Sequence, residues 1–305
     1  MINENNQLNF HNPSVLSLIS VIVPVYKDFN GLRSTLISLD KQTFDKSKYQ
    51  IIVVNDGDDS QIKDVCKEFS VEIINTHKRF GSYYARNKGI ENSSGEYLAF
   101  IDAGTIAGPQ WLKQGFQLIK KYDYVGGKVN VVKSDLNALH SLFVFEKHRE
   151  FATKELMEDL HFSPTTNLFV KRKVLQQLGG FDFRLRSSGD YEFGDRVYMS
   201  DLYTQFYSPD LIVYHPARDF KSLIKKQVRL ALGFIDLGKL YPNRFKGISN
   251  SFLINLLKLI LPPFWLFKKD LWLKLSFYEK ISVFSWTYFC SFTQRLVTIR
   301  HAQTL

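Results

Sequence analysis

The chain has 305 residues, long enough for one large domain or two small ones with a full core. Its 45% hydrophobic and 23% charged residues exclude a disordered chain. A surplus of 40 Lys+Arg over 30 Asp+Glu, net +10, suits a polyanionic partner: nucleic acid, an anionic membrane surface or a phosphorylated substrate. The basic residues are spread along the chain and form no nucleic-acid-binding module, so no nucleic acid is expected. Cys66 and Cys290 lie far apart without metal-ligand spacing. They predict free thiols in a reducing compartment, and neither a disulfide framework nor a zinc site. Residues 1–17 form a polar, Asn-rich tail without the basic start and apolar core of a signal peptide, which predicts a cytoplasmic chain.

Residues 18–26 (LISVIVPVY) are rich in β-branched side chains and predict a buried first strand. Pro24 cannot donate to a ladder, so it belongs at the carboxyl end of that strand or on a bulge. Leu32, Leu36, Ile37 and Leu39 have helical spacing and predict a helix over 30–39. Residues 49–54 (YQIIVV) predict a second buried strand that runs into NDGDDS. Asp56-Gly57 there is a turn signal, and the same letters suit the N-cap of a helix over 61–69. A third strand over 71–75, a loop over 78–81 and a helix over 83–92 follow. The stretch 96–105 (EYLAFIDAGT) reads as a strand apolar on both faces, as a central parallel strand is. Asp102 stands at its carboxyl end, where an open α/β sheet places its ligands. Ala103, Gly104 and Thr105 are small enough for backbone or phosphate to approach closely. The resulting βαβαβαβ order is that of a nucleotide-binding parallel sheet.

From Pro109 the alternation loosens. Helices are predicted over 111–121, most of 136–160, 171–178, 191–200 and 221–237, with strands over 124–132 and 205–214 and a short apolar segment over 167–170. Residues 251–267 (SFLINLLKLILPPFWLF) are strongly apolar but fall short of the roughly 20 residues a spanning helix needs. The run carries Asn255 and Lys258 and breaks at Pro262-Pro263. Beyond it Lys268, Lys269, Lys274 and Lys280 mix with Trp265, Trp272, Phe277, Tyr278, Phe284 and Trp286. Basic residues interleaved with aromatic ones suit a helix lying in a headgroup layer, and an aromatic stripe also suits helices packed on the rest of the protein.

Four segments together resemble the family 2 inverting glycosyltransferases of the GT-A fold. They are SVIVPVY at 20–26, IIVVNDGDDS at 51–60, GSYYARNKGIENSSGEYLAFIDAG at 81–104, and the pair GGFD at 179–182 with GDYEFGDR at 189–196. Their order and spacing carry the resemblance, which covers residues 18–235. It implies an α/β fold with a Rossmann-like, mainly parallel sheet flanked by helices. The expected division is a nucleotide half over 18–108, an acceptor half over 109–235, and a C-terminal helical, membrane-associating region over 236–305.

The resemblance also implies roles. Pro24 and Tyr26 match the positions that line the slot for a uracil-like base, and Asp56 matches the carboxylate that accepts from it. Arg86 lies where its guanidinium fork reaches a carboxylate or phosphate, although a structural ion pair is equally natural. Asp102 matches the first carboxylate of an Asp-any-Asp motif that reaches the ribose and, through a divalent cation, the diphosphate. Gly104 replaces the second. Mg²⁺ or Mn²⁺ needs only one or two carboxylates when substrate phosphates complete its shell, so Asp102 is the expected metal residue. Lys78, Arg79 or a later basic residue is the alternative neutraliser of the leaving diphosphate. Asp190 matches the catalytic aspartate, usually preceded by Glu and here by Gly189. Glu192 and Asp195 are alternative bases, and Asp182 is a turn residue or an acceptor contact.

The expected function is transfer of a sugar from a nucleotide diphosphate, of UDP type, to a carbohydrate or lipid-linked acceptor hydroxyl with inversion. Such a protein would build polysaccharide or glycolipid, peripherally, at the inner face of the cell membrane and on its anionic surface. The competing expectations are a catalytically silent nucleotide-sugar-binding or assembly protein of the same fold, and a nucleotidyltransferase. The second would carry a Gly-rich, basic phosphate loop after the first strand, where VPVYKDFNG offers one Gly and one Lys.

Overall fold

The structure, a computed structural model, describes residues 8, 18–134, 139–149, 152–245 and 270–302. The predicted tail over 1–17 (Leu8 apart) and the apolar run over 251–267 lie outside the described residues. The chain forms two compact units. The first comprises residues 1–130, 151–183 and 189–215, the second residues 131–150, 184–188 and 216–305.

The first half of the chain alternates as its apolar pattern predicts: β1 (Ile19–Val25), α1 (Phe29–Asp40), β2 (Tyr49–Asn55), α2 (Ser60–Cys66), β3 (Glu72–Asn75), α3 (Ser82–Glu91) and β4 (Tyr97–Phe100). Next come β5 (Ile106–Ala107), α4 (Trp111–Ile119), β6 (Tyr124–Val132), α5 (His140–Arg149), α6 (Thr153–Leu160), β7 (Leu168–Lys171), α7 (Arg172–Leu178), α8 (Gly189–Met199) and β8 (Gln205–Pro216). Among the described residues α9 (Phe220–Leu240), α10 (Asp270–Lys274) and α11 (Phe277–Ala302) follow.

One eight-stranded sheet has the order β3-β2-β1-β4-β7-β6-β8-β5. Its first four strands are parallel, as expected of the nucleotide half. In the other half β7 runs antiparallel to both β4 and β6, and β5 antiparallel to β8, so the sheet as a whole is mixed. The reversal matters for the site: pairing Phe100 with Leu168 brings the start of β7 beside the carboxyl end of β4. β5 has only two residues and no apolar run, which is why periodicity gives no sign of it.

β1 and β4, and β2 from Ile51 on, are buried on both faces, so they read as continuous apolar runs. Ile19, Val21 and Val23 of β1 share a core cluster with Leu32, Leu36 and Leu39 of α1, while Ile52 and Val54 of β2 cluster with Ala85 of α3. Each such side chain contributes about 1.5–3 kcal/mol on burial. Pro24 sits inside β1 opposite Val54 of β2. The Ile22 carbonyl accepts from Ile101 N–H on the β4 side, and residues of that parity face the same neighbour. The ladder with β4 ends at the pair Ile22 and Phe100, so the donor Pro24 lacks costs no rung.

In the second unit α11 packs against α5 and α9. Leu142, Phe145, Leu223 and Cys290 form one cluster with Trp286 and Phe289 against it; Val144, Leu275 and Val283 form another with Trp272. Trp272 and Trp286 of the predicted aromatic stripe therefore turn inward. Leu273, Phe277, Tyr278 and Ile281 remain exposed. No helix among the described residues is long and apolar enough to cross a membrane.

Candidate functional site

The carboxyl halves of β1, β2 and β4 and the helices α3 and α8 carry the predicted residues, all within the first unit. At the end of β2, Asp56 is buried and works on a loop. Its Oδ1 accepts from Phe80 N–H (2.8 Å) and Thr76 Oγ1 (3.1 Å), and its Oδ2 accepts from Gly81 N–H (2.8 Å). This pins the segment that enters α3 and presents Lys78 and Arg79. The Arg79 guanidinium lies 4.5 Å from the centroid of the Tyr26 ring, at the end of β1, and Lys27 Nζ lies 5.6 Å from it. Tyr26 keeps 40% of its surface open. A flat aromatic face flanked by two cations is thus built beside Asp56, whereas Pro24 is buried within β1.

Asp102 follows β4 with its side chain 39% exposed, and Arg86 Nη2 donates to its Oδ1. Arg86 itself is buried on α3, and its Nε has no hydrogen-bond partner. The loop after Asp102 is clamped by α1: Thr35 Oγ1 donates to the Thr105 carbonyl (2.8 Å) and accepts from Gly104 N–H (3.0 Å). Thr105 Oγ1 meets Thr166 Oγ1 at 3.0 Å, just before β7. Ser38 Oγ accepts from Ala107 N–H, and Gln42 donates to the Gly108 carbonyl, continuing the clamp. Thr35, Ser38 and Gln42 were not singled out from sequence. Their signal is a polar stripe at i, i+3, i+7 on an otherwise apolar helix face.

Gly104 has φ +88°, a conformation that L side chains rarely adopt, and a Cβ there would point at Asp28 Oδ2 from 3.6 Å. Asp28 is committed to α1, where its Oδ1 accepts from Gly31 N–H. Among the described residues no group of three or more His, Cys, Asp or Glu could hold a metal ion. Asp102, the expected metal residue, thus stands outside any such group.

Asp190 lies in the first turn of α8, half-buried, where Tyr83 Oη donates to its Oδ1 (3.3 Å) and Tyr191 N–H donates to the same atom (3.1 Å). Burial raises its carboxyl above the ordinary aspartate value; the Arg86 charge and backbone N–H donors oppose this, and the Asp102 charge adds to it. Arg86 thus binds Asp102 directly and acts through its field on Asp190. Glu192, the alternative base, is buried and gripped by Arg196, whose Nε (3.1 Å) and Nη2 (2.8 Å) donate to its two oxygens. Arg196 also donates to the carbonyls of Leu178, Gly179 and Gly180, so this pair fastens the GGFD turn to α8. Asn87 of α3 holds the same turn by pairing with both the N–H and the carbonyl of Phe181 (2.9 and 2.7 Å). Asp182 is fully buried there, and Asp195 is half-buried.

A separate open cavity of about 1130 Å³ is lined by Tyr122, His161, Tyr198, Tyr203 and Tyr207, among others. It contains none of the predicted site residues.

Comparison with known proteins matches residues 20–179 to the family described as Glycosyl transferase family 2. The glycosyltransferase AglE of Haloferax volcanii is 35% identical over 231 residues, 73% of this chain and 75% of that protein. The uncharacterized glycosyltransferase MJ1057 of Methanocaldococcus jannaschii is 28% identical over 221 residues, 69% of this chain and 75% of that one. Among solved structures, the mannosyltransferase PcManGT from Pyrobaculum calidifontis, in complex with GDP-Man and Mn²⁺, superposes with a TM-score of 0.59 at 16% identity, covering 93% of this chain and 88% of that chain. S. aureus TarS 1-349 in complex with UDP-GlcNAc superposes with a TM-score of 0.55 at 19% identity, covering 94% and 92%.

Proposed function

Because this chain belongs to glycosyltransferase family 2, with the GT-A fold, we propose that it moves a sugar from a nucleotide diphosphate to an acceptor hydroxyl with inversion. The observation that carries this reading is the trio Asp102, Arg86 and Asp190: a carboxylate at a strand end, a buried cation on it, and a second carboxylate of raised proton affinity in that cation's field. Tyr26 flanks the nucleotide base, which we take to be uracil, Asp56 accepts from it, and Pro24, buried within β1, supports that strand end from inside the sheet. Arg79 beside Tyr26 and Arg86 beside Asp102 set positive charge where the diphosphate departs. Asp102 would hold a divalent cation, Mg²⁺ or Mn²⁺, together with the donor's phosphates. When bound, that ion neutralises charge on the leaving group.

Asp190 accepts the proton of the attacking hydroxyl. Inversion requires that hydroxyl to approach the anomeric carbon opposite the leaving diphosphate, through an oxocarbenium-like transition state. A carboxylate raised by burial is a stronger base than a solvated one, and the Arg86 guanidinium opposes that shift. Glu192, bound on both oxygens by Arg196, has no comparable freedom. The product we propose is a polysaccharide or glycolipid made by residues 18–235, with residues 236–305 resting on the anionic inner face of the membrane. Leu273, Phe277, Tyr278 and Ile281, exposed beside Lys274 and Lys280, support that contact.

The replacement of the second carboxylate by Gly104 favours one other reading, a silent nucleotide-sugar-binding protein. Thermal-shift titration with UDP-GlcNAc and GDP-mannose, with and without Mn²⁺, addresses binding; release of nucleoside diphosphate addresses chemistry. Asp56→Ala and Asp102→Ala should each abolish most of the stabilisation by nucleotide while remaining folded. Unchanged stabilisation in both variants would remove the donor-site assignment. Binding without turnover of any donor and acceptor tried would favour the silent reading.

A further inference from the structure

We propose that Tyr83 is a positioning residue for Asp190, its ring filling the space of a side chain at 189 while its hydroxyl donates to the Asp190 carboxylate. This rests on the reading of Asp190 as the base. Tyr83 is the second residue of α3 and is buried. A Cβ on Gly189 would come within 2.8 Å of two atoms of its ring and 2.9 Å of a third. Any residue larger than glycine at 189 therefore requires the ring to shift. The family resemblance expects Glu before the catalytic aspartate, and the departure at 189 has its physical counterpart here: Tyr83 and Gly189 fit only as a pair.

The ring is fixed on its other sides. It stacks on Phe181 with centroids 6.0 Å apart and planes at 25°, and the Arg86 guanidinium lies 5.6 Å from its centroid. Phe181 is itself held by Asn87, one turn along α3 from Tyr83. The hydroxyl is thus aimed by packing, and it donates to Oδ1 from 3.3 Å. The groups acting on Asp190 are Tyr83 and Arg86 from α3, Asp102 after β4, Tyr124 from β6, and the Tyr191 N–H of its own helix. Of these, Tyr83 and Tyr191 donate to the carboxylate, so each favours the ionised form against burial and against Asp102. Removing the hydroxyl leaves the acid harder to ionise and held by backbone N–H groups alone.

The test is a ¹³C-carboxyl NMR titration of the full-length protein labelled at aspartate, with the Asp190 resonance identified by its loss in Asp190→Asn. Tyr83→Phe, which keeps the ring, should raise the Asp190 midpoint by about one pH unit and leave the melting temperature near wild type. Gly189→Ala should raise it too, by driving the ring away. A purely space-filling role for Tyr83 predicts that Tyr83→Phe titrates as wild type does, and that outcome overturns the proposal. Nucleoside diphosphate release, measured in parallel from the donor that wild type turns over, separates the two ideas. Wild-type release by Asp190→Asn removes the base reading, and this proposal with it. Loss of release in Asp190→Asn with an unmoved midpoint in Tyr83→Phe removes this proposal alone.

Discussion

Two carboxylates in α8, two residues apart, have opposite electrostatic situations, and this decides what each substitution does. Asp190 has one tyrosine and one backbone donor, so Asp190→Asn keeps shape and fold while removing basicity. Transfer should fall about 10²–10⁴-fold in single-turnover assays, with donor affinity retained. Glu192→Gln removes half of a buried ion pair and should cost roughly 3–5 kcal/mol of stability, read as a lowered denaturation midpoint. Near-normal transfer in Asp190→Asn with collapse in a folded Glu192→Gln would exchange the roles. The pH profile has a definite sign: the base must be ionised, so kcat/KM falls as pH drops through its pKa. Burial raises that pKa, and the acid limb should therefore lie above the ordinary aspartate value of about 3.9. Gly104→Asp tests the metal from the other side. The second carboxylate should tighten Mn²⁺ binding in the presence of nucleotide. The positive φ and the nearby Asp28 should lower stability without the ion, by about 1–2 kcal/mol for the backbone alone. Unaltered Mn²⁺ affinity would mean that residue 104 faces α1 and not the cation.

At the level of elements, the Asp102 loop is held less by its own strand than by α1. Thr35 supplies one hydroxyl that both donates to Thr105 and accepts from Gly104. Thr35→Val keeps the volume and removes both bonds, leaving buried backbone groups without their partner. It should cost about 1–3 kcal/mol and weaken nucleotide binding further by loosening Asp102, measured by chemical denaturation and calorimetry. Loss of stability with unchanged nucleotide affinity would show that this loop keeps its shape without the clamp. The same scale explains α11. Its inward residues bind α5 and α9, and the outward set Phe277, Tyr278 and Ile281 shares one end with Lys274 and Lys280.

At the scale of the whole molecule, that outward set is what a membrane surface would meet. The full-length protein should float with anionic vesicles and less with neutral ones, and more weakly as salt screens its lysines over about 10 Å at 0.1 M. Phe277→Asp with Ile281→Asp should abolish flotation without lowering the melting temperature, because both side chains are already exposed. Flotation equal to wild type would locate the attachment elsewhere in the chain or remove it.

Much of this molecule was legible in the sequence. The strands β1, β2 and β4 announce themselves because a parallel strand covered on both faces must be apolar at every position, and each then stops at a polar residue that marks the sheet's carboxyl edge. Asp56, Asp102 and Asp190 are singled out in this way or by family resemblance. Contacts between residues distant in sequence were not legible. A hydroxyl on α1 holds the loop after β4, and Tyr83 meets Gly189 across 106 positions. The antiparallel entry of β7 next to β4 was also invisible, since a buried strand's composition carries no direction. Local pattern determined which segments are strands, which are helices, and where their polar ends fall. Only tertiary packing decided which groups surround Asp190, because Tyr83, Arg86 and Asp102 reach it from elements about 90 to 110 positions away.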